Sequence, residues 1–194
     1  MRIERYKDFI SEEDRVELVK WFDYSIDNQV NFYAGLSRGE WGYQKRCTTR
    51  NTDKVEYPEV ALRLFNKVIN SFEFQDNCHK EILANKEGII CVATFPTGDT
   101  YYHKDPTNCK DGLSVIRFNI VLQKPEDGGI ISITDENGKE VKLDVDEREL
   151  YCCNLSDYWH SVSEVKGSKS RYIILFSMCC DKDDWETGKI KFKG

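Results

Sequence analysis

From Gly88 onward, short apolar runs alternate with turn residues, and this punctuation limits the fold more than any other feature of the chain. Eight segments of strand character cover about 89–95, 100–105, 113–122, 129–134, 140–146, 149–153, 159–165 and 171–179. Asn137-Gly138 marks a tight hairpin between the fourth and fifth, Gly128-Gly129 opens the fourth, and Lys166-Gly167-Ser168-Lys169 parts the last two. Eight short strands preceded by helices predict a mainly β fold. Its architecture is a double-stranded β-helix, the cupin-like jelly roll, with supporting N-terminal helices.

Those helices have their own signals. Ser11-Glu12-Glu13-Asp14 supplies an N-cap and then acids that oppose the positive end of the helix dipole. Leu18, Phe22 and Ile26 recur at four-residue spacing beside Val19, giving one apolar stripe. A second helix starts near Pro58 and runs to about Phe72, with Ala61, Leu64, Phe65, Val68 and Phe72 on one face. Each stripe is expected to cover a sheet. Between them, Asn31–Glu56 has no periodicity and holds Tyr33, Arg38, Trp41, Tyr43, Lys45, Arg46 and Arg50. Two readings stand for it: a solvated connector, or a lid over the barrel mouth with Arg38, Trp41 and Arg46 as candidate substrate contacts.

The third strand carries an apolar face, Ser114, Ile116, Phe118, Ile120 and Leu122, and a mixed one, Val115, Arg117, Asn119 and Val121. Arg117 and Asn119 either face solvent or line a wet cavity. In Tyr101-Tyr102-His103-Lys104-Asp105 alternate side chains share a face, so Tyr101, His103 and Asp105 point one way and the last two can hold a cation between them. His160 stands far along the chain on another strand-like segment. Two His and one carboxylate in this order form the facial triad that binds non-haem Fe(II) and leaves coordination positions open. A His-x-Asp pair alone is equally a surface accident. Arg171 opens the last strand, one short turn from that of His160, so hairpin geometry brings a permanent cation close to the candidate metal.

A chain of 194 residues, 40% hydrophobic and 12% aromatic, can bury one substantial core. One domain is expected over 1–194, with 1–80 as helical support and lid and 88–180 as the jelly-roll core. A net charge of -6 supplies no field for a phosphate backbone, so no nucleic-acid partner is expected. No apolar run approaches the ~18 residues of a membrane span, and the first residues lack a signal peptide's apolar region. A soluble, cytoplasmic protein with no membrane partner follows. The eight cysteines are then expected to be reduced packing residues. Neighbours on a strand face opposite ways, so neither Cys152-Cys153 nor Cys179-Cys180 can clamp one metal.

With these motifs assembled, the chain resembles the Fe(II)/2-oxoglutarate dioxygenases, and within them the prolyl-4-hydroxylase-like branch. Phe95-Pro96-Thr97-Gly98 ahead of His103-x-Asp105 resembles the aromatic-x-x-Gly lead-in to that family's first two iron ligands. Leu113 to Leu122 followed by Pro125-Glu126-Asp127-Gly128-Gly129 resembles the strand and Gly-Gly turn that come next. His160-Ser161-Val162 with Gly167 to Arg171 resembles the distal His and the basic residue that grips the cosubstrate. The resemblance implies His103, Asp105 and His160 as iron ligands and Arg171 as partner of the 2-oxoglutarate C5 carboxylate. Two positions depart from the pattern: Phe95 stands where the family often has Tyr, and Ile173 where it has a hydroxyl residue. Tyr101, Asn119 and Arg117 are the candidates for the remaining cosubstrate contacts.

The resemblance further implies hydroxylation of an unactivated C–H bond, with O2 and 2-oxoglutarate consumed and ascorbate as a candidate stimulant. The substrate class stays open between a free amino acid or small metabolite and a peptide or protein residue such as proline. The alternative is a non-catalytic jelly-roll binding module whose His-x-Asp is accidental or holds a structural metal. Halogenation is disfavoured, because Asp105 fills the position that the family's halogenases leave to chloride.

Overall fold

The structure, a computed structural model, describes residues 1–34, 45–49, 55–74, 80–82, 88–105 and 113–194. β1 (Ile3–Tyr6) leads into α1 (Glu12–Asp27), which begins as its sequence demands: Ser11 Oγ accepts the Asp14 N–H at 3.1 Å, and Glu12, Glu13 and Asp14 fill the first turn. β2 (Tyr33–Ala34) pairs with β3 (Arg46–Thr48). Pro58 is the N-cap of α2 (Glu59–Asn70), whose inward stripe is Val60, Ala61, Leu64 and Val68. β4 (Phe72–Phe74) and β5 (Lys80–Ile82) follow.

Beyond Gly88 all eight anticipated strands form. They are β6 (Ile89–Thr94), β7 (Thr100–His103) and β8 (Leu113–Gln123), then, after the two-residue β9 (Asp127–Gly128), β10 (Ile131–Thr134), β11 (Glu140–Leu143), β12 (Leu150–Cys153) and β13 (Trp159–Val162). After β14 (Val165–Lys166) comes the last of the eight, β15 (Arg171–Asp181). The chain closes with α3 (Lys182–Glu186) and β16 (Ile190–Phe192).

Among the described residues the pairing gives a major sheet in the order β1-β12-β8-β15-β6-β3-β2, with β5 also on β15, and a minor sheet in the order β11-β10-β13-β7. The two facing antiparallel sheets, with helices packed outside the larger one, are the mainly β jelly roll that the turn spacing predicts. Period two along β8 divides the core. Ile116, Phe118, Ile120 and Leu122 pack with Leu18, Phe22, Leu64 and Val68 beneath the helices, while Val121 joins Ile131, Ile133, Tyr151 and Ile173 between the sheets. Each such buried side chain contributes about 1.5–3 kcal/mol relative to exposure.

Three expectations need correction or restriction. β3 lies inside the segment 31–56 that shows no periodicity, because three residues are too few for alternation to be visible. Arg38, Trp41 and Arg50 lie outside the described residues, so a lid reading has only Lys45 and Arg46 to stand on here. Cys179 is disulfide-bonded, whereas Cys47, Cys91, Cys152, Cys153 and Cys180 are free and buried. Strand alternation rules out a shared clamp by Cys179 and Cys180, but says nothing of a bond to a remote cysteine. No helix among the described residues is long and apolar enough to cross a membrane.

Candidate metal centre

β7 is the edge of the minor sheet, and its antiparallel register with β13 sets His103 directly opposite His160. The strand ends at His103. Asp105 therefore owes its direction to tertiary contacts rather than to strand alternation: its backbone N–H donates to Leu155 O at 2.9 Å, and its Oδ2 accepts from Arg117 Nε at 2.9 Å. Oδ1 is left facing both imidazoles, 3.4 Å from His103 Nε2 and 3.7 Å from His160 Nε2. One donor atom from each of the three residues lies within 4.8 Å of the others.

The remaining ring nitrogens settle the tautomers. His103 Nδ1 is 2.8 Å from Tyr101 O, and His160 Nδ1 is 3.3 Å from Tyr158 O. A carbonyl oxygen only accepts, so each proton sits on Nδ1 and each Nε2 turns a lone pair toward Asp105. Burial pushes the His160 pKa down to about 4, against the pull of Asp105, so the ring is neutral at neutral pH. Burial works against the charge of Asp105, yet the carboxyl is held well below the usual carboxylate range, the Arg117 guanidinium on Oδ2 favouring the anion. Two lone pairs and an anionic oxygen thus converge on one point. That donor set fits a divalent cation of intermediate softness.

Arg117 is spent on this arrangement. It is buried, and besides Asp105 it donates Nη1 to the Ser177 hydroxyl. It is not among the residues lining the cavity, and the contacts it makes here are with Asp105 and Ser177. Tyr101 also falls outside the lining: on an edge strand its ring packs beside His103, with centroids 4.7 Å apart, and remains 39% exposed.

Between the sheets, an open cavity adjoins the cluster. Asn119, Tyr151 and Arg171 line it, and Arg46 reaches it from β3 in the wall of the major sheet. Arg171 is buried beside the Tyr151 side chain. Burial lowers its pKa from the ordinary value, but a guanidinium keeps its proton. Burial likewise pushes Tyr151 up to about 12, so its hydroxyl is neutral and able to donate. Gly129, at φ +64°, makes room beside this cation, since a Cβ there would lie 2.9 Å from Arg171 Cδ.

Among solved structures, the same architecture occurs in a prolyl hydroxylase from Trichoplax adhaerens in complex with a hypoxia inducible factor oxygen degradation domain peptide fragment. Its TM-score is 0.66 at 15% identity, covering 95% of this chain and 86% of that one. A Pseudomonas putida prolyl-4-hydroxylase gives 0.61 at 12% identity over 92% and 91%. The fold is that of the prolyl-4-hydroxylases. HygX from Streptomyces hygroscopicus, with nickel, 2-oxoglutarate and hygromycin B bound, shares it at a TM-score of 0.61 and 9% identity over 91% and 82%. No protein-family model matches the sequence, and no curated protein matches it.

Within this prolyl-4-hydroxylase fold, the cavity-lining Tyr151 and the contact of Arg117 with Asp105 are what the sequence reading did not name. Tyr151 sits opposite Asn119 in the β12–β8 register, but Leu150-Tyr151-Cys152-Cys153 reads as a plain apolar run with no polar alternation to flag it. Its pairing with the mixed face of β8 was the available signal.

Proposed function

We propose that this chain is an Fe(II)- and 2-oxoglutarate-dependent dioxygenase that hydroxylates an unactivated C–H bond. The observation that carries the reading is the convergence of His103 Nε2, His160 Nε2 and Asp105 Oδ1 beside a cavity with a buried Arg171 in its wall. Fe(II) held there, with 2-oxoglutarate and dioxygen, supplies the reaction R–H + 2-oxoglutarate + O2 → R–OH + succinate + CO2. His103, Asp105 and His160 would hold the metal. Arg117 occupies Oδ2, which would leave Oδ1 as the oxygen Asp105 offers a metal. Arg171 and the Tyr151 hydroxyl receive the C5 carboxylate, where the planar fork gives parallel hydrogen bonds and an unpaired buried anion would be costly. The Tyr151 hydroxyl does the work of the residue that Ile173 cannot. Val92, Leu155 and Ile173 line the same cavity and limit water near the reacting atoms.

The substrate belongs to one of two classes, a free amino acid or small metabolite, or a residue such as proline in a peptide. The fold supports either: one similar structure holds a peptide fragment and another hygromycin B. The reading is tested by adding Fe(II) and 2-oxoglutarate anaerobically. A weak visible charge-transfer band is expected, lost in His103→Ala and in His160→Ala, with succinate formed once O2 is admitted. A band unchanged in both variants overturns the ligand assignment, and no succinate across a panel of amino acids and peptides returns the chain to a metal-binding module.

A further inference from the structure

We infer that Arg46, with Thr94 beside it, forms a second anion subsite in the cavity, built to receive a carboxylate on the prime substrate. The inference rests on the reading of Arg171 as the anchor of the cosubstrate.

The sheet register carries the argument. Arg46 is opposite Thr94 across β3–β6, and Thr94 is opposite Arg171 across β6–β15. Directly opposed residues project from one face, so Arg46, Thr94 and Arg171 form a row across three strands. The next row is Thr48, Val92 and Ile173, of which Val92 and Ile173 line the cavity and so identify the face. At about 4.8 Å between strands, the two arginines start roughly 10 Å apart on the same wall. One wall of one cavity therefore presents two guanidinium groups. 2-Oxoglutarate has a single distal carboxylate, its other end being committed to the metal.

The two cations differ in setting. Arg171 is 6% exposed, beside Tyr151. Arg46 is partly exposed, and its Nη1 lies 3.5 Å from the hydroxyl oxygen of Thr100, the first residue of the strand that ends in His103. Three residues of strand span about 10 Å, so an anion on Arg46 sits within one small molecule's length of the metal ligands.

A second observation points to a polar ligand. Thr94 Oγ1 and Thr48 Oγ1 are buried and meet no hydrogen-bond partner among the described residues, which is uncommon for a buried hydroxyl. Thr94 lies between the cations. The backbone that presents Arg46 is also braced: Phe95 N–H donates to Lys45 O at 2.9 Å, and both Lys45 and Thr97 hold positive φ, of 37° and 64°. A β-branched residue in that region is strained, and the surrounding contacts hold it there. The recognised group is a carboxylate, whether from a free amino acid, a peptide C-terminus or an acidic side chain.

The test uses the full chain loaded anaerobically with Fe(II) and 2-oxoglutarate. Free L-amino acids, dipeptides with a free C-terminus and N-acetylated Asp and Glu amides are titrated beside the neutral carboxamide of each. Binding is read from the charge-transfer band and from protection of Arg46 against phenylglyoxal, mapped by mass spectrometry. At least one acid is expected to bind roughly tenfold or more tightly than its carboxamide, the scale of one charged hydrogen bond, and to protect Arg46. The arm that binds names the source of the carboxylate. Arg46→Gln is expected to erase the preference and keep the band, and Arg46→Lys to recover part of it. Acids and amides binding alike, no acid protecting Arg46, or a preference that survives Arg46→Gln overturns the subsite. Loss of the band in Arg46→Gln also overturns it, by making Arg46 a cosubstrate contact. A wild-type chain without the band defeats the dioxygenase reading itself, and the subsite falls with it.

Discussion

At the scale of single residues, the cavity works by giving each charge one task. Arg117 fixes Asp105, Arg171 faces the Tyr151 hydroxyl, and the two histidines give their Nδ1 protons to backbone carbonyls. If Arg171 anchors the cosubstrate, Arg171→Ala raises the 2-oxoglutarate requirement about ten- to a hundredfold, since a hydrogen bond to a charged group is worth roughly 1.5–3 kcal/mol. Tyr151→Phe loses a neutral donor beside that charge and raises it by less. Both variants should keep their metal affinity, measured by Fe(II) titration. If Arg171→Ala titrates like wild type, the C5 carboxylate is held elsewhere. The sequence reading named His103, Asp105, His160 and Arg171 because few residue types suit such a site, and the structure gathers the first three and sets Arg171 in the wall of the same cavity. Arg117 and Asn119 were not separable, because they share one strand face and only the fold decides which meets Asp105.

Elements, in turn, are held in register by contacts that single strands cannot reveal. β1 covers the edge of the major sheet by pairing with β12, which sets Arg5 opposite Tyr151 and ties the N-terminal strand to a strand of the cavity wall. Arg5 also reaches Glu149, donating from Nη2 at 2.9 Å, and the Asp146 N–H donates to the same carboxylate at 3.2 Å. Burial works against the charge of Glu149, but Arg5 and that backbone donor hold its pKa below the usual value. A carboxyl lowered in the folded state stabilises the fold above its unfolded pKa, near 4.5, and that stability is lost as pH falls through the lower folded value. Glu149→Gln should therefore be less stable than wild type at pH 7, by on the order of 1 kcal/mol once solvent screening at the more exposed Arg5 is allowed for. The gap should close on acidification below pH 4.5, followed by urea unfolding at a series of pH values. A gap independent of pH would mean that the contact is not ionic. The hairpin at Asn137-Gly138 was readable, with Gly138 at φ +78°, because turn chemistry is local. β3 was not, since its three residues become a strand only by pairing with β2 and β6.

For the whole molecule the consequence of period two along β8 is a division of labour between two apolar layers. Among the described residues, the layer beneath α1 and α2 contains none of the cavity-lining side chains, whereas the layer between the sheets includes Tyr151 and Ile173 of the cavity wall. This architecture was legible because amphipathic helices and alternating strands state which face is apolar, even though they do not say which layer lies beside the site. Stability and cosubstrate binding should then separate by layer. Leu64 is 1% exposed in the helix-facing layer, and Leu64→Ala removes methyl groups that the surroundings refill only in part. A loss of about 2–5 kcal/mol is expected, which in a chain of this size lowers Tm by roughly 5–15 °C. The charge-transfer band and the 2-oxoglutarate requirement should not change. Ile173→Ala, in the other layer, enlarges the cavity beside Arg171 and should alter both Tm and the 2-oxoglutarate requirement. If Leu64→Ala shifts the 2-oxoglutarate requirement as much as Ile173→Ala does, the helices set the geometry of the site through the sheet, and the two layers act as one.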